Sequence, residues 1–232
     1  MKKTISLISA IILIISCTLL LVACGGGGMS EQEWNEAMDY LKNSDTITIN
    51  YTQEKSANAR ITKTYETHTV TYDKTNKMLY AAQEVKTYNL FDVLIEHTNK
   101  YQYVEVADVE VKNYTKNIQD DRPASWSANF RSYDSEDAAL EVLQQTLMSY
   151  LKLFSLDSFN YNDFTFKKGK YEKSAVVNDK NTLWQLTFTD GKLDNASFET
   201  KHKMGSSNID YNKIAITLTY SAVIEKPNDL PF

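Results

Sequence analysis

Two periodicities alternate along this chain. Between Ser30 and Lys42 the apolar residues Trp34, Ala37, Met38 and Leu41 recur at i, i+3, i+4 and i+7, the stripe of a helix that lies on a sheet, while Glu31, Glu36, Asp39 and Lys42 face outward. Ser30 and Glu33 occupy the positions of a capping box, which places the start of that helix. From Thr46 the period falls to two: Ile47, Ile49 and Tyr51 alternate with Thr46, Thr48 and Asn50, as in a strand with one buried face.

The same period predicts strands over Arg60 to Tyr72, Met78 to Tyr88, Leu90 to Thr98 and Tyr101 to Tyr114, with turns at Asp73 to Lys77 and at Asn99-Lys100. Connections this short join antiparallel neighbours, so the first half reads as a meander. Several of these strands carry apolar residues on both parities, Tyr65 with Val70 and Tyr72 for example, which calls for cover on both faces of the sheet. The stretch from Lys116 to Tyr133 breaks the pattern: Asp120-Asp121-Arg122-Pro123 reads as a loop, beneath which Trp126 and Phe130 could tuck. A second helix runs from about Ser135 to Phe154, capped by Asp134 or Ser135. Its broad face comprises Ala139, Val142, Leu143, Thr146, Leu147, Tyr150, Leu151 and Phe154. After it come a short strand at Phe164 and Phe166 and another at Ala175 to Val177. A hairpin from Leu183 to Thr200 turns at Asp190-Gly191, and a last strand covers Ile214 to Ile224.

Composition agrees with a β-rich body: there are fifteen tyrosines and only three prolines. The formal charge of -5 becomes about -7 without Lys2 and Lys3, and no basic cluster stands out in the sequence, which argues against nucleic acid and anionic lipid headgroups as electrostatic partners.

The residues offer little covalent chemistry. His68, His97 and His202 are isolated, none stands in a metal-ligand spacing, and each reads as a surface residue of a strand or loop. Beyond Gly28 only Gly169, Gly191 and Gly205 remain, so there is no phosphate-cradling loop, and no Gly-x-Ser-x-Gly elbow occurs. Asp120-Asp121 and Asp134-Glu136-Asp137 lack the glycine of a calcium loop and read as solvated acids. The sequence thus predicts a non-enzymatic protein with no cofactor, no catalytic residue and no metal site. What it has in surplus is apolar surface. Either the sheet curves around its helices, or a concavity stays open for an apolar guest. Candidates for such a concavity, chosen by size and parity, are Tyr65, Tyr80, Phe91, Val93, Tyr103, Trp126, Phe130, Leu147, Tyr150, Leu151, Trp184, Phe188 and Tyr220. Close packing as ordinary core is the competing fate of each.

The first 28 residues resemble a bacterial lipoprotein signal. Lys2 and Lys3 precede an apolar run from Ile5 to Val22, and Leu21-Val22-Ala23-Cys24 ends it with small residues before a cysteine, followed by Gly25 to Gly28. The resemblance implies a signal peptide over residues 1–23, diacylglyceryl transfer to the Cys24 thiol, and cleavage before it. A lipidated cysteine and glycine tether would then span residues 24–29, and a single domain residues 30–232. Cys17 would be discarded and Cys24 acylated, so no disulfide is expected. Acyl chains at Cys24 would hold the body on the extracytoplasmic face of the cell membrane.

The order of elements extends the likeness: capped helix, antiparallel run, central helix, the stretch Leu183-Trp184-Gln185-Leu186-Thr187-Phe188-Thr189-Asp190-Gly191-Lys192-Leu193, then a long closing strand. It is similar to lipoproteins of Gram-positive, Firmicutes-type bacteria with a fold like the LolA/LolB and LppX/LprG carriers. That likeness implies an α+β fold, a curved antiparallel half-barrel sheet covered by two main helices. Between sheet and helices it would shelter a lipid or another apolar ligand. The alternative is a cell-envelope module that binds another protein and no small molecule.

Overall fold

The computed structural model describes residues 27–57, 62–177, 180–204 and 208–231. The expected signal segment, residues 1–23, and Cys24 lie outside the described residues. Helix α1 (Glu31–Lys42) opens the fold. The meander β1 (Thr46–Ala57), β2 (Thr62–Asp73), β3 (Met78–Tyr88), β4 (Leu94–Ala107), β5 (Glu110–Gln119) and β6 (Ser127–Ser132) follows. Helix α2 (Glu136–Leu153) then leads to β7 (Thr165–Lys167), β8 (Lys170–Val177), β9 (Lys180–Thr189), β10 (Lys192–Met204) and β11 (Asn208–Thr219). All eleven strands form one open antiparallel sheet in the order β6-β5-β4-β3-β2-β1-β11-β10-β9-β8-β7. The first and last strands are therefore neighbours at its middle.

Both helices start where the sequence puts their caps. The Ser30 hydroxyl accepts from the Glu33 backbone N–H and the Glu33 carboxylate accepts from Ser30, a complete capping box. Ser135 caps α2 through the Ala138 N–H. In α1 the buried residues are the four of the predicted stripe. In α2 the buried line is narrower than the sequence suggests: Ala139, Leu143, Leu147 and Leu151 are buried, while Val142, Thr146 and Tyr150 are half-buried along its flank. One i, i+4 ridge, with Phe154 just beyond the helix, meets the sheet. Both helices lie on one face, against Ile47, Ile49, Val70, Tyr72, Leu79, Val104, Ile216 and Leu218, and the packing there is complete.

Among the described residues the opposite face carries no helix. Over its β4–β6 side runs the chain after β11: Lys226 Nζ binds Glu105 at 2.9 Å, and Asp229 accepts from Lys116 at 2.7 Å and from Trp126 Nε1 at 2.8 Å. Tyr103 and Tyr114, which share this parity with Glu105 and Lys116, are buried. The two-sided apolar pattern thus has its cover on both faces here.

Three predicted boundaries move. Asn99 and Lys100 do not turn the chain but pair with Glu84 and Gln83 in the middle of β4; the turn lies at Asp108, whose φ is +54°. Polar residues are tolerated there because α2 ends before reaching that part of the sheet. Leu90 to Val93 is a turn rather than strand, since the Asn89 side chain accepts from the N–H groups of Phe91 and Val93. The loop at Asp120 to Pro123 stands where the sequence puts it, between the end of β5 and the edge strand β6, while β11 stops at Thr219 instead of reaching Ile224.

Candidate functional site

Alternation along the strands assigns each side chain to the helix face or the bare face, and each face carries a hollow. On the bare face, beside the half that the C-terminal chain covers, a hollow of about 580 Å³ crosses β2, β1, β11, β10 and β9. Tyr65, Leu183 and Ala215 supply its apolar surface, and Glu54, Gln185 and Lys213 its polar positions. Glu54 is engaged: it accepts the Tyr211 hydroxyl, whose pKa burial, that hydrogen bond and the Glu54 charge push up to about 12. Lys213 Nζ stands 5.4 Å over the Tyr211 ring. One wall of the hollow is thus a fixed carboxylate–phenol–ammonium group; Glu66 and Glu199 add two more carboxylates to the lining, and the remainder is apolar or neutral.

On the helix face, beyond the last turn of α2, a second hollow of about 560 Å³ lies over β2 to β5. Glu66 and His68, two apart on β2, share that face, and His68 Nε2 lies 2.5 Å from the Glu66 carboxylate. Gln83 donates to the same carboxylate at 2.6 Å. The His68 hydrogen bond, aided by its charge and by Gln83, holds the Glu66 carboxyl below the usual range against the opposing effect of burial. Tyr51 and Phe154 cover the imidazole, with ring centroids at 5.3 and 5.2 Å. Tyr150 donates to Gln102 at 2.8 Å and closes the helix side. His68 is therefore buried, not the surface residue its sequence isolation suggests, because its partner sits on the same strand face. His97 is also half-buried, 3.0 Å from Glu84. The side chain of His202 lies outside the described residues. An acid–base pair exists in Glu66 and His68, but among the described residues no hydroxyl or thiol is hydrogen-bonded to His68 as a nucleophile would be. Among the described residues no group of three or more His, Cys, Asp or Glu could hold a metal ion.

The thirteen residues chosen from the sequence do not converge. Tyr65 lines the bare-face hollow and Tyr150 the helix-face hollow. Leu147 and Leu151 are central core. Trp184 and Phe188 pack at its edge, where Phe188 joins the aromatic group around Trp34 at 5.0 Å. Tyr220 packs against Tyr40 at 5.0 Å and donates to the Leu193 carbonyl. Tyr103 is buried on the bare face, with Tyr80 opposite it on β3. Trp126 is tied to Asp229, and Phe130, on β6, is 44 % exposed. Phe91 and Val93 are exposed in the β3–β4 turn, far from any cavity role as core. Sequence reasoning missed Glu54, Leu183, Lys213 and Ala215, and missed Glu66 with Gln83. The signal that could have found them is parity: Leu183 and Ala215 are apolar at positions where the register demands the helix-free face.

Searched against protein-family models the chain matches none, and a search of curated proteins finds no match either.

Proposed function

We propose that this protein is a lipoprotein of the LolA/LolB and LppX/LprG kind, anchored through Cys24 to the extracytoplasmic face of the membrane, that binds a lipid or other apolar ligand without covalent chemistry. The observation that carries the reading is the bare-face hollow, whose volume lies in the range of ligand sites and whose surface is mainly apolar with a few fixed polar groups. Its position differs from the sequence expectation. The space between sheet and helices is filled by Leu41, Leu143, Leu147 and Leu151, all fully buried, so the ligand belongs on the other side of the sheet. A hollow spanning five strands asks the sheet to bend along it, and we read that bend as the half-barrel.

The test is ligand capture. Native mass spectrometry of the protein extracted from its membrane should show bound apolar molecules, and a fluorescent fatty acid should bind the purified protein. Ala215→Trp, which fills the hollow from β11, should weaken that binding at least about tenfold with little change in melting temperature. Absence of both bound molecules and uptake in the unaltered protein would sink the reading.

A second reading has its own observation. Leu90, Phe91, Val93 and Ile95 are 51, 83, 54 and 54 % exposed, a continuous apolar tip at the β3–β4 turn. Such patches mark contact sites for other proteins. If this tip is the functional surface, Phe91→Ser should abolish cross-linking to an envelope partner and leave fatty-acid uptake untouched.

A further inference from the structure

The chain enters the domain along one hairpin. Gly27 and Gly28 run beside Phe166, Gly169, Tyr171 and Gly191, which places the entry at the β7–β8 and β9–β10 turns. Contact is close: a Cβ on Gly28 would stand 2.5 Å from the Tyr171 hydroxyl and 2.8 Å from the Phe166 ring. The next residue is clamped. The Met29 carbonyl accepts from Tyr161 at 3.1 Å and from Tyr171 at 3.3 Å, and the Met29 N–H points at the Tyr171 oxygen. Gly28 stands four positions after Cys24, a reach of about 13 Å fully extended.

Beside that clamp the charge changes sign, against the net charge from which anionic headgroups were not expected as partners. Lys167, Lys168 and Lys170 are all exposed on the β7–β8 turn, in a chain whose net charge is -5. Lys167 and Lys170 are the closing pair of the hairpin and stand directly opposite each other. Like charges so placed destabilise a strand pair. None of the three has an ion-pair partner among the described residues. Two acids of this region are already bound, Glu33 by the Ser30 cap and Asp163 by Lys173 at 2.8 Å. Lys168 and Gly169 take φ of +49° and +80°, the tight two-residue turn that puts the lysines at the extreme end of the sheet.

We propose that this lysine turn, with the clamped entry beside it, is a docking surface for an anionic phospholipid bilayer and holds the body in one orientation on the membrane that anchors it. The proposal rests on the reading of Cys24 as the acylated residue. Three things point to a bilayer as the occupant. The reach from Cys24 keeps Gly28 within about 13 Å of the acylated residue, and Gly169 of the lysine turn lines the same small pocket as Gly28. None of the three lysines has an ion-pair partner among the described residues. The facing Lys167 and Lys170, unfavourable as a pair within the protein, gain a counter-charge at an anionic surface.

The experiment uses the lipidated full-length protein reconstituted in vesicles, with a fluorophore on Thr165→Cys near the turn or on Phe91→Cys at the far end. Headgroup-level lipid quenchers should quench the Thr165 label strongly in vesicles containing phosphatidylglycerol and only weakly in phosphatidylcholine; the Phe91 label should be spared in both. Each lysine beside an anionic leaflet should strengthen contact about fivefold, so Lys167→Gln, Lys168→Gln and Lys170→Gln together should abolish the difference between the lipids. Raising salt to about 1 M should do the same to the unaltered protein, which needs no variant to fold. Equal quenching in the two lipids, insensitive to salt, would overturn the proposal, as would equal quenching of both labels. If the protein fails to stay with the vesicles at all, the anchor reading falls instead, and the two failures are told apart by flotation.

Discussion

The two halves of the helix-free face start from the same material and end differently. Over β4 to β6 the C-terminal chain lies across the sheet, its Lys226 and Asp229 bound to Glu105, Lys116 and Trp126, and Tyr103 is fully buried. Over β2 to β9 none of the described residues lies across it, and Tyr65, an aromatic of the same parity, is 38 % exposed beside a hollow. The lesson is that an aromatic residue on a strand does not carry its own burial; what crosses the face decides whether it becomes core or binding surface. The ten residues from Tyr220 to Asp229 suffice to convert one half into core.

The largest effect tests what both halves share. Leu147→Asp puts a charge into the helix-side core, and no cooperative unfolding transition should survive in thermal denaturation. The contrast itself is measured by Tyr103→Ala against Tyr65→Ala: the first should destabilise by about 3 to 5 kcal/mol and the second by less than about 1, in denaturant titration. Comparable losses would erase the distinction between the halves. A smaller effect concerns pH. The folded state holds the Glu66 carboxyl below its unfolded value, so its contribution is present above the unfolded pKa and disappears as pH falls through the folded one. Glu66→Gln should therefore be less stable than the unaltered protein at pH 7, by roughly 1 kcal/mol or less given partial exposure, and the gap should close in acid. The smallest change is local. Asp229→Asn removes the charge that Lys116 and Trp126 hold, and backbone amide exchange should quicken in residues 226–231 with no shift of the melting temperature.

Much of the fold was legible because helices and strands here obey their own periods. The α1 stripe, both serine caps and the Asp190-Gly191 hairpin follow from local chemistry alone, and the structure reproduces them. The turn at Asp108 was hidden because Asn99 and Lys100 look more like punctuation, and only tertiary context explains polar residues in mid-strand. The site was less legible still. Large aromatic residues were sought by size, which found Tyr65, whereas the bare-face hollow also takes the smaller Leu183 and Ala215 from the mostly polar parity of strands far apart in sequence. The lysine turn was visible as letters but not as a cluster beside the chain entry, since Gly28 and Phe166 lie 138 positions apart.

The pairing of β1 with β11 has a consequence for how the molecule is made. Thr48 to Ser56 can find its partner only in Tyr211 to Thr219, so the seam joining the two halves of the sheet stays open until the last strand leaves the ribosome. A message truncated anywhere before Tyr211 would yield a meander whose first strand, twelve residues long, has an unpaired edge, a template for aggregation. Joining the two halves of the sheet is thus all or nothing.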